Sequence, residues 1–407
     1  MVRTESLSLT RRLSAFALLM FFEFFYGWSF NTVDVLRPQL RASLGLSLTE
    51  AGSIYTAQSL GALAGAIVLG QCGDRFGRRR MLGVIVVGYS LCGAAGTLVT
   101  NYPVLLLQRL LLGIFLGGIF PILNATYMGL FASHLRGKLA SVGQGTYNLA
   151  VMALGASLGW AAARDWHILL WAAAIPPLVA APLIWLVIPD DRKILPWGAG
   201  EAPPVGAMPI VELFSPALRP ITIRLFVLVA CNFFAYQAFA GWTTTYLKTT
   251  LGLDQAAVGT LVQWQFGGAV VGGFFWGWLA DRFGRKICSL GFVAGALCIA
   301  AYLFWATSVT QLAWLGAAWG FSVTASVAWG PWMSELYPAR LRSSAMSIFN
   351  WGRIVSMTAP LITGAIAERH GLATAMSLGA VTFIIGAVVW NLLPETLQRV
   401  AKVDVRE

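Results

Sequence analysis

Four ionisable side chains stand inside long apolar stretches of this sequence: Glu23, Asp34, Arg109 and Arg353. A charge at that depth of a bilayer costs about 2.5 to 3.5 kcal/mol even on the lenient insertion scale, so each needs water, a partner or a function. Glu23 and Asp34 are eleven residues apart, three helical turns, and therefore share one helix face with Gly27 and Phe30. A carboxyl so placed is suited to exchanging a proton, and both are candidates for proton coupling. Glu23 is the deeper; Asp34 lies near the outer end of its stretch, where water can reach it. Arg353 sits too deep to snorkel, with no acid on a neighbouring turn. Its guanidinium calls for a carboxylate, supplied by Glu23 or by a ligand, or else for a backbone carbonyl. Arg109 opens RLLLGIFLG, with Gly113 and Gly117 on its own face, a spacing that lets helices approach closely. Uncharged groups suited to hydrogen bonding across a cavity are Tyr26, Tyr147, Asn148, Asn232, Tyr236, Gln263 and Asn350, the last on the face of Arg353.

The elements that must position these groups are membrane helices. The 407 residues are 57% hydrophobic and 11% charged, with a mean hydropathy of +0.71, a membrane composition. Twelve runs are long enough to cross roughly 30 Å of hydrocarbon: 13–35, 50–70, 81–99, 104–131, 139–161, 167–187, 220–243, 257–279, 287–305, 311–332, 343–367 and 372–393. Placing both termini in the cytoplasm puts 20 Lys and Arg in inner segments and 5 in outer loops, Arg37 and Arg41 among the latter. The net charge of +11 is mostly this bias, so it does not argue for nucleic acid. Five scattered cysteines lack metal-like or disulfide-like spacing. Trp160, Trp166, Trp171, Trp242 and Trp332 fall where an interfacial belt would hold them, while Trp264, Trp319, Trp329 and Trp351 lie deeper. No nucleophile, base and orienter set and no phosphate loop occurs, which argues against an enzyme.

A duplication organises the chain. GQCGDRFGRRR from Gly70 returns as GWLADRFGRK from Gly277, so that Asp74, Arg75 and Arg78 match Asp281, Arg282 and Arg285 at an offset of 207 residues. Each copy is a tight turn between two spans. We expect an N-terminal six-helix unit over 1–187, a cytoplasmic linker over 188–219 and a C-terminal six-helix unit over 220–407. The two turns would act as conformational latches, Asp74 and Asp281 engaging facing basic residues such as Arg136 and Arg342, with Glu335 in the second copy.

These motifs resemble the major facilitator superfamily over essentially the whole chain. The doubled D-R-F-G-R turn is similar to its signature loop, RLLLGIFLG to its R-x-x-x-G element, and PETLQR at Pro394–Arg399 to the ending of sugar porters, with Pro189, Asp190 and Asp191 as a weaker echo. The resemblance implies an all-α membrane fold of twelve transmembrane helices in two pseudo-symmetric six-helix bundles, with ligand held between them. ELYPARLRSS followed by WGRIVSMTAP resembles the aromatic-acid:proton, sialate:proton and related organic-anion symporters, in which an Arg follows Gly in span eleven, and this makes Arg353 the contact for a substrate carboxylate; YGWSF at Tyr26–Phe30 is similar to span one of monocarboxylate and oxalate:formate carriers. The aromatic-acid group's D-G-[FY]-D is absent; Tyr26, Gly27, Trp28 and Ser29 stand in that register. The first-half counterpart of Glu335 is Gly129. The resemblance implies proton-coupled uptake of a small organic anion, a monocarboxylate or aromatic acid, in a bacterial inner membrane. It implies no cofactor, the proton gradient supplying energy, and no metal; the partners are substrate, protons and lipid, and the chain is expected to be a monomer. Alternatives are a proton-driven exporter of amphipathic compounds, a sugar porter or a non-transporting sensor.

Overall fold

The computed structural model describes residues 2–397 except 4–6, 133–134, 163, 192–193, 196–208, 339–340, 342–344 and 346–347. Apart from a two-residue parallel pairing of β1 (Val2–Arg3) with β2 (Ile194–Leu195), the described residues are helical or in turns. The chain divides into two compact units, Met1–Ala202 with Asp254–Gly259, and Pro203–Leu253 with Thr260–Glu407.

The first unit holds α1 (Leu9–Val35), α2 (Arg37–Leu44), α3 (Leu48–Phe76), α4 (Arg78–Ala95), α5 (Tyr102–Leu130), α6 (Arg136–Ala162), α7 (Ile168–Ala180) and α8 (Leu183–Val187). The sequence punctuates these helices. Ser47 and Glu50 form a reciprocal capping box that starts α3. Asn101 accepts from the Val104 amide at 3.0 Å to start α5. In the turn between α3 and α4, Gly77 adopts φ of 95°, a conformation that other residues avoid, and this is why the motif needs glycine there.

The second unit holds α9 (Pro209–Glu212), α10 (Arg219–Thr245), α11 (Gln255–Phe283) from Thr260 onward, α12 (Ser289–Phe304), α13 (Val309–Val323), α14 (Trp329–Leu336), α15 (Ile348–Ser356), α16 (Ala359–His370), α17 (Leu372–Met376) and α18 (Leu378–Asn391). Gly284, the repeat of Gly77, adopts φ of 100°.

Among the described residues eight stretches are long and apolar enough to cross a membrane, from Leu9–Val35 to Leu372–Asn391. The other four predicted runs fall on α6, α7 with α8, α11, and α15 with α16. Glutamines in mid-helix lower the hydropathy of α6 and α11. The sixth run breaks at Ala181–Pro182 and the eleventh at Met357–Thr358, ahead of Pro360, so neither is one continuous helix. The outcome is the twelve-span, all-α membrane fold expected from the sequence.

The duplication extends from the loops into the packing. A Cβ at Gly61 would fall 2.1 Å from the Leu110 carbonyl oxygen, at Gly65 1.8 Å from that of Ile114, and at Gly113 2.1 Å from that of Gln58. In the second unit a Cβ at Gly268 would fall 1.9 Å from the Ala317 oxygen and at Gly320 1.8 Å from the Gln265 oxygen. Gly61, Gln58 and Gly113 map onto Gly268, Gln265 and Gly320 at the same offset of 207. Small residues thus bring α3 onto α5 and α11 onto α13 at backbone contact, the main source of helix cohesion where solvent is lipid.

The core of the first unit gathers Leu19, Phe22, Tyr26, Tyr89, Leu116 and Tyr127. The second is more aromatic: Phe292 meets Phe383 at 4.8 Å and Trp390 at 5.1 Å between ring centres, and Trp390 meets Trp329 at 5.2 Å. Two expected belt residues belong to this interior. Trp242 and Trp332 are fully buried, and the Trp332 indole donates to the Pro394 carbonyl at 3.1 Å. Trp160 and Trp171 are exposed, as a belt requires, at 52% and 44%.

Candidate functional site

The four intramembrane charges divide between the units. In the first, Asp34 ends α1 and meets Arg37 at 2.6 Å. Arg37 is wholly buried and Asp34 only 7% exposed, so Asp34 is not the solvated end-of-helix acid expected from the sequence. Arg37, counted above with the outer loop, is drawn inward by this pair. Close by, Arg109 is 1% exposed and donates to Thr32 Oγ1 at 3.2 Å and to Gln58 Oε1 at 3.5 Å. Gln58 in turn donates to the Phe30 carbonyl at 2.9 Å. Two guanidiniums thus share the surroundings of one carboxylate. Ser29, Thr32, Gln108 and Arg109 line a small cavity there with room for about one water. The repeat places Gly316 where Arg109 would recur, so this cation belongs to the first unit only.

Glu23, also on α1, points elsewhere. It is 4% exposed and lies within electrostatic reach of Tyr89 and Tyr127, and Tyr127 hydrogen-bonds Asn124. One turn on, Tyr26 is buried with its ring 5.8 Å from that of Tyr147. The Tyr147 hydroxyl accepts from Asn31 at 2.8 Å, and Gln144 donates to Asn148 at 3.5 Å. Gly27 makes this seam possible, since a Cβ there would fall 3.0 Å from the Tyr147 ring. Tyr26, Tyr147 and Asn148 are therefore brought together along α1 and α6. Asn31 joins them and was not singled out by the sequence, because an asparagine near a helix end has many ordinary explanations.

In the second unit Arg353 stands in the last turn of α15, where the partial negative charge of a helix C-terminus favours a cation. Ser356 and Thr358 satisfy carbonyls at the break, donating to Arg353 O at 2.7 Å and Val355 O at 2.8 Å. The guanidinium lies over the Phe233 ring, 5.4 Å from its centre. Gly352 sets this approach, for a Cβ there would fall 2.4 Å from Val229 Cγ1 on α10, one turn before Phe233. Asn232 and Tyr236 flank Phe233 on α10. The Asn232 side chain is 6% exposed, and its Oδ1 has no hydrogen-bond partner among the described residues. Tyr236 packs on Trp319 at 5.7 Å, whose buried indole N–H also has no hydrogen-bond partner among them. Gln263 is half-buried on α11. The side chain of Asn350 lies outside the described residues.

The motif turns are charge networks. Arg285 pairs with Asp281 at 2.6 Å and with Glu335 at 2.8 Å. Thr396 donates to Glu335, and Glu395 accepts from the backbone amides of Arg285 and Lys286 at 2.9 and 2.8 Å. Burial pushes the Glu335 carboxyl up, but the hydrogen bonds from Arg285 and Thr396 outweigh it and hold the group below its ordinary range. Burial of Glu395 is outweighed likewise by four backbone amides. Burial lowers the affinity of Arg285 for its proton, but its two carboxylate partners raise it further. The first unit repeats the plan with different atoms: Asp191 accepts from the Arg78 and Arg79 amides at 2.9 and 3.4 Å, Asp190 pairs with Arg79 at 3.1 Å, and Arg78 donates to the Ala125 carbonyl at 3.2 Å. Pro189–Asp191 is thus the working counterpart of Pro394–Thr396. Arg75 and Arg282 are exposed beside aromatic rings. The side chains of Asp74 and Arg136, and the whole of Arg342, lie outside the described residues, so the Asp281 partner on view is Arg285 of its own turn.

Comparison with known proteins places this geometry. The model of the Major Facilitator Superfamily matches residues 19–263 and 225–406. The chain is 26% identical to a gallate transporter of Pseudomonas putida, over 84% of this chain and 82% of that one. It is also 26% identical to a 3-(3-hydroxy-phenyl)propionate transporter of Escherichia coli, over 89% of each. The crystal structure of a bacterial homologue of the human lysosomal transporter Spinster superposes with a TM-score of 0.79 at 16% identity, covering 95% of this chain and 97% of that one. These relatives are transporters, not enzymes. The chain belongs to the Major Facilitator Superfamily and is an integral, multi-pass membrane transporter of that family.

Proposed function

We propose that the protein is a proton-coupled importer of a small organic anion, a monocarboxylate or aromatic acid, working by alternating access. The observation that carries the reading is Arg353: a guanidinium inside the second unit, in the last turn of a broken helix and against an aromatic ring. Such a group binds a carboxylate bidentately. In the second unit the further candidate binding groups are Asn232, whose Oδ1 has no hydrogen-bond partner among the described residues, with Tyr236, Gln263 and Asn350; the first unit's candidates are Tyr26, Tyr147 and Asn148. The names of the relatives, which carry aromatic acids, support the class. Of the two coupling candidates, Asp34 is tied to Arg37, which leaves Glu23 as the better carrier of the proton. One proton moving with one monoanion transfers no net charge, so the pH gradient alone would drive uptake.

We place both termini and the motif turns on the cytoplasmic side of a bacterial inner membrane, the turns latching one conformation through Asp281, Arg285 and Glu335, and the chain acting as a monomer without cofactor. The test is thermal unfolding of purified protein with carboxylates, sugars and hydrophobic cations at pH 5.5 and 7.5. A ligand at about 100 times its Kd stabilises by roughly 2.7 kcal/mol. Stabilisation by carboxylates, greater at pH 5.5, supports the reading; stabilisation by sugars or cations alone overturns it.

A further inference from the structure

The small cavity beside Arg109 has Ser29, Thr32, Gly93, Gln108, Arg109 and Leu112 in its wall. Two of these side chains keep a buried polar atom with no hydrogen-bond partner among the described residues, Arg109 Nε and Gln108 Oε1, and their residues are 1% and 8% exposed. Leaving such atoms unmet costs free energy, most of all on a charged group, so each calls for a partner. The second unit builds the same place in the fold differently. At the offset of 207 the six wall residues become Tyr236, Phe239, Ala300, Leu315, Gly316 and Trp319. There the ring of Trp319 meets those of Tyr236 and Phe239 at 5.7 and 5.0 Å, and Phe239 meets Tyr302 at 5.3 Å. The second unit thus fills the position with rings, whereas the first keeps small polar groups, a cation and a space.

We propose that this cavity is the binding site of one ordered internal water, which accepts from Arg109 Nε and donates to Gln108 Oε1. The space admits about one such molecule. The hydrogen-bonding pattern of the wall decides against an anion, the other ligand that a guanidinium attracts. The Gln108 amide is fixed, because its Nε2 donates to the Cys92 carbonyl at 2.7 Å, and its oxygen is the atom left over. Thr32 has already given its hydroxyl proton to the Ser29 carbonyl at 2.7 Å. A halide could take the Arg109 donor but would face the Gln108 oxygen. Water serves both, and so reaches the two to four partners that an internal water needs. Since Gln108 also holds the Cys92 carbonyl, the water ties the Arg109 cation to the seam between α4 and α5. The site belongs to the first unit whatever ligand the protein carries.

The test is X-ray radiolytic labelling of the purified protein in detergent, read by peptide mass spectrometry. Hydroxyl radicals formed from an ordered water oxidise the side chains beside it, even where bulk solvent does not reach. Leu112 and Leu170 line the cavity and are 2% and 3% exposed, whereas Leu105 and Leu116 are wholly buried, do not line it and serve as controls. The proposal predicts that Leu112 and Leu170 oxidise several-fold faster than Leu105 and Leu116 in the intact protein. Gln108→Leu places the second unit's residue in the wall and removes the acceptor. Gly93→Ala adds a methyl group to the wall, where a Cβ meets nothing nearer than Ala174 Cβ at 3.9 Å. In each variant oxidation of Leu112 and Leu170 should fall to the level of the two controls. Control-level oxidation of Leu112 and Leu170 in the intact protein, as a dry cavity or a bound halide would give, overturns the water site. Fast oxidation that persists in either variant while the controls stay slow overturns it too, since water would then enter without the assigned contacts. The comparison within the intact protein stands even if a variant unfolds.

Discussion

Gly65→Ala is a severe substitution for a single methyl. The added Cβ would stand 1.8 Å from the Ile114 carbonyl oxygen, 2.6 Å from its carbonyl carbon and 2.8 Å from its Cα. All three are backbone atoms, so no rotamer change relieves the clash. Ordinary contact begins near 3.4 Å, which leaves α3 and α5 to separate by roughly 1.6 Å locally. A gap of 0.5 to 1 Å already forfeits about a quarter to a half of the dispersion between facing atoms. Helix propensity favours alanine by about 1 kcal/mol, too little to compensate. We expect a net loss at or above the upper end of the usual 1 to 3 kcal/mol for overpacking. The control lies five residues on: a Cβ at Gly70 meets nothing nearer than Pro121 Cγ at 4.0 Å, so Gly70→Ala should be neutral or slightly stabilising. The second unit supplies a repeat of the experiment, with Gly268→Ala destabilising and Gly273→Ala tolerated, because a Cβ at Gly273 meets nothing within 4 Å. The assay is thermal unfolding of detergent-purified protein by intrinsic fluorescence. Equal midpoints for Gly65→Ala and Gly70→Ala would refute backbone contact as the basis of the α3–α5 seam.

Other expectations follow from the charge networks. Asp34→Asn removes the carboxylate facing the buried Arg37 and should destabilise by about 3 to 5 kcal/mol, whereas Asp34→Leu with Arg37→Met together should cost less than either single change in the same unfolding assay. Glu335 and Glu395 are held below their ordinary range, so the stability they confer is present above the usual carboxylate pKa and lost as pH falls through the depressed values. Unfolding midpoints should therefore drop steeply below about pH 4, and the drop should flatten in Glu335→Gln and Glu395→Gln. Glu335→Gln should also weaken the hold on Arg285, seen as faster proteolysis of the loop at 284–287.

Much of this was legible from the chain because it is written in residue chemistry that the membrane makes unambiguous. Long apolar runs have few alternatives to helices, and the doubled turn announced the repeat and the tight reversals at which Gly77 and Gly284 take positive φ. Gly113, four residues after Arg109, marked a close helix contact, although Gly61, which approaches Leu110 from the other side of that seam, carried no motif. What escaped was set by tertiary contact. Arg37 reads as a loop charge until Asp34 draws it inward. Trp242 and Trp332 sit at belt depth but face the interior, a direction that depth along the sequence does not encode. Asp191 replaces the acid of PETLQR one residue out of register, which motif matching discounts and carboxylate reach permits. Phe233 is one of 24 phenylalanines, and only the approach set by Gly352 marks it.

The central claim, that Arg353 holds a ligand carboxylate, is tested most directly by uptake of radiolabelled benzoate and gallate into proteoliposomes under an inward proton gradient, comparing intact protein with Arg353→Gln and Arg353→Lys. The account predicts that uptake of the accepted carboxylate is abolished by glutamine, which cannot pair with it, and only partly kept by lysine, which lacks the bidentate fork. Unchanged uptake by Arg353→Gln, in protein whose unfolding midpoint matches that of the intact chain, would contradict it.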